Sequence, residues 1–140
     1  MPRSALILAA VAVLAIAGCT TQGGSNDSSG KFTGEQRLVA NTVEDFESAA
    51  SKGDQDRICR DFLAKPLVGQ FAKQGGTCEK AVHSTLKDTD SFGLTVESVA
   101  INGNQAVAHV KADHGKKDVA RTLTLVKEGA GWRISEFGSG

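Results

Sequence analysis

The groups in this sequence that could do chemistry are few: three cysteines, three histidines, and charged residues set among apolar strand positions. Cys59 and Cys78 admit three kinds of chemistry. A zinc site would need both thiolates, His83 and a fourth ligand, yet neither a C-x-x-C nor an H-x-x-x-H spacing is present. A thiolate nucleophile would need His83 beside Cys78, and a separation of five on a helix puts the two on different faces. A disulfide needs only an oxidising compartment and an even number of partners. General acid–base chemistry would fall to His83, His109 or His114, and whether any of them can serve depends on the elements that carry them.

The compartment is written at the amino end. After Met-Pro-Arg-Ser the chain is apolar from Ala5 to Ala17 and then reads Gly18-Cys19. This is a charged start, a short apolar run and a small-residue exit. As helix it would reach only ~20 Å, short of a ~30 Å hydrocarbon core, so it reads as a signal segment and not a membrane span. Ile16-Ala17-Gly18-Cys19 resembles the bacterial lipobox, with Ile where Leu is usual. The resemblance implies a lipoprotein signal peptide over residues 1–18 and acylation of Cys19 by diacylglyceryl and palmitate-type chains. The expected location is the extracytoplasmic side of a cell membrane, with the lipid bilayer as the first partner. Several acyl chains hold far more firmly than a single myristoyl group.

With Cys19 assigned to lipid, Cys59 and Cys78 are an even pair in an oxidising compartment, and the disulfide is the expected reading. Residues 19–34, mostly Gly, Ser, Thr and Asn, lack the apolar surface to fold and are expected to form a tether, leaving 35–140 as one domain. Formal charge is zero for the whole chain, and losing Arg3 with the leader leaves one excess negative charge. No net field therefore favours nucleic acid. Aromatic content is 5% with no Tyr, so stacked-base recognition lacks its usual material. No cofactor and no metal are expected.

The domain opens with helical signals. Thr33 to Gln36 fits a capping box, and Val39, Val43, Phe46 and Ala50 recur at helical spacing until Gly53. Asp54 can cap a second helix through Leu63, Pro66 can open a further turn ended by Gly75-Gly76, and Thr77 can cap a last helix. From Phe92 the period becomes two. Asn102-Gly103 predicts a type I′ hairpin with Val99 opposite Ala106. The phase change between Val96 and Val99 predicts a bulge near Glu97 or Ser98. The next hairpin pairs Val110 with Arg121, Ala108 with Leu123 and Ala106 with Leu125. The last pairs Leu125 with Ile134 and Leu123 with Glu136, with Trp132 beside Lys127. One face is then apolar and expected to lie on the helices, with Trp132 buried against the first of them. The other carries His109 opposite Thr122, Lys111, Thr124 and Arg133, and also Phe137.

The expected fold class is thus α+β: N-terminal helices packed on a curved, cone-like, four-stranded antiparallel sheet. Helices followed by such a meander ending in Gly-Trp-Arg-Ile-Ser-Glu-Phe resemble the nuclear-transport-factor-two-like superfamily, shared with ketosteroid isomerase and scytalone dehydratase. The chain also looks like small bacterial lipoproteins in which such a domain carries a cysteine pair in its helical half. The superfamily commonly has a strand between its second and third helices, for which residues 66–76 leave little room, so the cone is expected to be shallow there. Members include isomerases, dehydratases and non-catalytic binding domains, so the resemblance decides no activity. In the register above all three histidines fall outside the cone, and the expected function is non-catalytic binding of a small apolar ligand or an envelope protein. The alternative is a small lyase or isomerase of the cone-fold type. The candidate pocket is Arg121 and Glu136, diagonal across Leu123 and either a clamp for a polar ligand end or a rim ion pair, above an apolar surface of Leu123, Leu125 and Trp132.

Overall fold

A computed structural model describes residues 28–87, 92–113 and 117–139. The leader, Cys19 and His114 lie outside the described residues.

The first long helix, α1 (Gly34–Ser51), buries Val39, Ala40, Val43, Phe46, Ala49 and Ala50 along one face. That stripe lies chiefly on the first strand and is the spine of the core. Thr33 stands at the N-cap, but the expected capping box does not form. Gln36 Nε2 instead donates to the Val99 carbonyl at 2.9 Å, tying the helix to the sheet.

The fold begins earlier than expected. Ser29–Lys31, placed in the tether by composition, forms a short 3-10 turn with Ser28 before it. Glu44 holds it, accepting from the Ser28 N–H at 2.7 Å, the Ser28 hydroxyl at 3.0 Å and the Ser29 N–H at 2.7 Å. The Ser28 hydroxyl in turn accepts from the Val96 N–H at 3.0 Å, and Phe32 enters the core. A segment too polar to fold by itself is ordered by one carboxylate that satisfies several donors at once.

Helix α2 (Gln55–Arg57) starts at Asp54, whose carboxylate accepts from the Arg57 N–H at 3.1 Å, and continues as a π-helical turn over Ile58–Phe62. The chain then becomes extended and Leu63 pairs in parallel with Ile134. Helix α3 (Lys65–Lys73) has Pro66 in its first turn, where a missing N–H costs nothing. Helix α4 (Cys78–Leu86) is capped by Thr77, which accepts from the Lys80 N–H at 3.3 Å. Cys59 and Cys78 are joined in a disulfide with Cα atoms 6.0 Å apart, stapling the π-turn to the start of α4.

Strands β1 (Gly93–Asn102), β2 (Gln105–Asp113), β3 (Asp118–Glu128) and β4 (Gly131–Ser139) form an antiparallel meander in sequence order. The β2–β3 register is the expected one throughout, and the bulge in β1 falls at Glu97. The first hairpin differs. Its central residues are Gly103 and Asn104, so Val99 faces Ala108 and not Ala106. Gly103 has φ +59° and no described non-glycine residue has positive φ, which is the pattern of a type II′ turn. The slip is two positions in pairing, so it preserves the faces.

The last hairpin differs with more effect. Leu125 pairs with Ile134 and Lys127 with Trp132 as expected, but Ser135 is an extra residue, and beyond it Thr124 faces Glu136 while Leu123 faces Phe137. Ile134 and Phe137 are three apart, and only an inserted residue lets both turn inward. The sheet carries helices on one face only and is not closed, giving a cone open at one end. Among the described residues no helix is long and apolar enough to cross a membrane.

Candidate functional site

Because the helices cover the sheet unevenly, a cavity of about 720 Å³ remains between them. Leu94, Ala112 and Leu123 line it from the sheet, Phe46, Ile58 and Leu63 from α1, the π-turn and the segment after it, and Phe71, Val82 and Leu86 from α3 and α4. Phe92, Phe137 and Arg121 complete the wall. Phe46 is the aromatic hub, with ring centroids 5.8 Å from Phe92, 5.7 Å from Phe137 and 6.5 Å from Phe62. Phe137 is 51% exposed, the most exposed large apolar side chain described, and it stands in this wall.

Polar groups in the wall are sparse. The Thr85 hydroxyl donates to the Ala81 carbonyl of its own helix at 3.0 Å. Arg121 is exposed, and among the described residues no carboxylate lies within ion-pair distance of it.

The expected pocket is therefore redrawn. Arg121 and Leu123 line the cavity, but the bulge at Ser135 turns Glu136 to the outer sheet face opposite Thr124, so the Arg121–Glu136 pair does not form. Leu125 and Trp132 are buried as core, at 0% and 4% exposure, and offer no surface to a ligand. Trp132 lies against α1 as expected, and its indole N–H donates to Glu35 at 2.8 Å. The helix-side wall, from Phe46, Ile58, Leu63, Phe71, Val82 and Leu86, was not part of the expected pocket, and Phe137, expected on the outer face, stands in the wall from the sheet side. The signal for Phe137 was the odd spacing from Ile134, the same signal that marks the bulge in β1.

The two described histidines, His83 and His109, are not among the residues lining the cavity. His109 is exposed on the outer face with Nδ1 3.4 Å from the Thr122 hydroxyl, and His83 on α4 has Nδ1 3.1 Å from Gln55 Nε2. Among the described residues no three of His, Cys, Asp and Glu converge as metal ligands. Two carboxyls elsewhere are shifted. Hydrogen bonds from the Lys127 ammonium and the Trp132 indole hold Glu35 below the usual carboxylate range. Burial pushes Glu47 up, helped by the nearby Glu44 charge and opposed by a backbone hydrogen bond at Leu94.

Comparison with known proteins bears on both the fold and the site. A family model described as "Putative lumazine-binding" matches residues 34–136. An NTF-2-like protein of unknown function from Silicibacter pomeroyi superposes with a TM-score of 0.52 at 17% identity, covering 71% of this chain and 89% of that one. A de novo designed NTF2-fold protein superposes with a TM-score of 0.51 at 12% identity, covering 72% of this chain and 84% of that one. Among curated proteins nothing matches. The fold is nuclear-transport-factor-two-like, as the order of helices and strands implied.

Proposed function

The chain belongs to the family described as "Putative lumazine-binding", and we propose that its domain is a non-catalytic holder of a small molecule in the apolar cavity, anchored outside a cell membrane through lipid on Cys19. The observation that carries the ligand part is the open cavity of about 720 Å³, within the ~300–1,000 Å³ range of small-molecule sites. Its lining offers surface for an apolar body and one guanidinium for a polar end. A docking face for an envelope protein would not need such a concavity. A lyase or isomerase would need a titratable group at the reacting atoms, and the described histidines lie elsewhere.

The family description brings lumazine to mind as the ligand. Lumazine is a flat bicycle with ring nitrogens and carbonyl oxygens on every side but its C6–C7 edge, and each one buried unpaired would cost about 1–3 kcal/mol. The carbon-lined wall favours a ligand that is polar at one end only.

The anchor rests on the leader and on Gly18-Cys19. Residues 20–27 lie between Cys19 and the 3-10 turn that Ser28 precedes, and eight residues reach at most about 28 Å when extended. Mass spectrometry of the chain recovered from bacterial membranes is expected to show loss of residues 1–18 and an acylated Cys19. An intact leader or an unmodified Cys19 overturns the anchor.

The cavity is tested with prodan, a neutral apolar fluorophore. Its emission is expected to shift to the blue with the wild-type chain and not with Val82→Trp, which fills the cavity while keeping the circular dichroism of the fold. Equal shifts with both chains place the probe elsewhere and overturn the reading.

A further inference from the structure

Resting on the small-molecule reading of the cavity, we infer that its ligand is an amphiphile with one acyl chain and an anionic head, the chain in the cavity and the head on Arg121. Three observations converge. The interior presents carbon almost throughout, and the Thr85 hydroxyl already donates within its own helix. A ligand body with no hydrogen-bonding atoms is the one this interior accepts without leaving polar groups unpaired.

The second observation is the guanidinium. Arg121 shares the inner-face phase of Leu123 and lines the cavity, yet remains exposed, with no described carboxylate beside it. A cation that is always charged and presents a planar fork of donors suits a carboxylate or a phosphate. The third is Phe137, half exposed while it contacts Phe46 inside. An aromatic ring exposed beside a cavity otherwise leaves apolar surface in water, and an acyl chain passing inward would cover it.

A free fatty carboxylate and a single-chain phospholipid share this chemistry. Displacement of prodan from the full-length chain separates them from other ligands, with competitors kept below their micelle concentrations at pH 8. Dodecanoate is expected to displace the probe at a concentration at least about tenfold lower than dodecanol, because only the acid meets Arg121 as an ion. Affinity among octanoate, decanoate and dodecanoate is expected to rise by up to about fourfold per methylene, which a head bound only at the surface would not produce. In Arg121→Ala the preference for acid over alcohol should vanish, dodecanoate falling to about the affinity of dodecanol, and Arg121→Lys should retain most of the preference. Lauroyl lysophosphatidylglycerol competing as well as dodecanoate assigns a membrane phospholipid, and dodecanoate competing alone assigns a free fatty acid.

Acid and alcohol binding alike, an unchanged preference in Arg121→Ala, or lumazine displacing the probe at lower concentration than dodecanoate would each overturn the inference while leaving the cavity occupied. Failure of prodan to bind removes the cavity reading itself.

Discussion

Removing the Cys59–Cys78 bridge is the perturbation whose size follows most directly from the structure. The cysteines are 19 residues apart and both are buried, at 7% and 4% exposure, so Cys59→Ala with Cys78→Ala deletes a cross-link and little else. Constraining a loop of that length in the unfolded chain is worth about 3 kcal/mol on the chain-entropy account. Set against a total of about 5–15 kcal/mol for a small domain, this is a large share. At about 4–8 °C per kcal/mol for a domain near 100 residues, the midpoint should fall by about 12–24 °C. Differential scanning calorimetry at pH 7 on the wild type, the double variant and the wild type in reductant should show the last two coinciding. A fall below about 4 °C would refute the reasoning, because the reference chain would then gain little freedom on losing the bridge. The site should feel the change too. The bridge ties the turn carrying Ile58 to the helix carrying Val82 and Leu86, all of which face the cavity, so prodan affinity should drop in the double variant even where it is fully folded.

Two carboxyls give pH signatures of opposite sign. Glu47 is raised, so its ionisation penalises the folded state: the penalty is absent at low pH and grows as pH rises from the unfolded carboxylate value through the folded one. Glu47→Gln should therefore raise the midpoint at pH 7 and leave it unchanged near pH 3, and a loss at pH 7 would show that the charge is stabilising. Glu35 is lowered, so its stabilisation is present above the unfolded carboxylate value and is lost as pH falls through the folded one. Glu35→Gln should lower the midpoint at pH 7 but not at pH 2, and should alter the emission of Trp132, whose indole it faces; an unchanged spectrum would show that the contact does not persist in solution.

Much of the fold was legible because apolar spacing in this chain changes period once, between Leu86 and Phe92, and each side of the change obeys its own rule. The caps at Asp54 and Thr77, the bulge at Glu97, the whole β2–β3 register and the burial of Trp132 are readable from residue type and spacing. What was not legible has two physical sources. Long-range hydrogen bonds override local pattern: Glu44 holds Ser28 and Ser29, and Gln36 leaves its helix cap for Val99. Turn chemistry is also degenerate, since Gly103 supplies positive φ equally well as the second residue of one turn or the first of another. That ambiguity was harmless because the two pairings differ by two residues and keep the same face inward.

The ambiguity in β4 was not harmless, and it decides the site. A regular strand through Ile134, Glu136 and Gly138 would set a carboxylate beside Arg121 and close the rim with an ion pair. The inserted Ser135, whose hydroxyl donates to the Thr124 carbonyl at 3.1 Å, turns Glu136 outward and Phe137 inward. One extra residue thus exchanges a charge for an aromatic ring at the cavity, makes the wall more apolar and leaves the Arg121 guanidinium without Glu136. The two bulges act alike, each bringing apolar residues three apart onto the inner face, Val96 with Val99 in β1 and Ile134 with Phe137 in β4. Restoring a regular β4 would therefore carry a double penalty, exposing Glu136 to a carbon-lined interior and moving Phe137 off Phe46. The conformation that leaves Arg121 available to the proposed anion is also the one that keeps Glu136 out of the apolar interior and Phe137 on Phe46, so the proposed site does not work against the packing beside it.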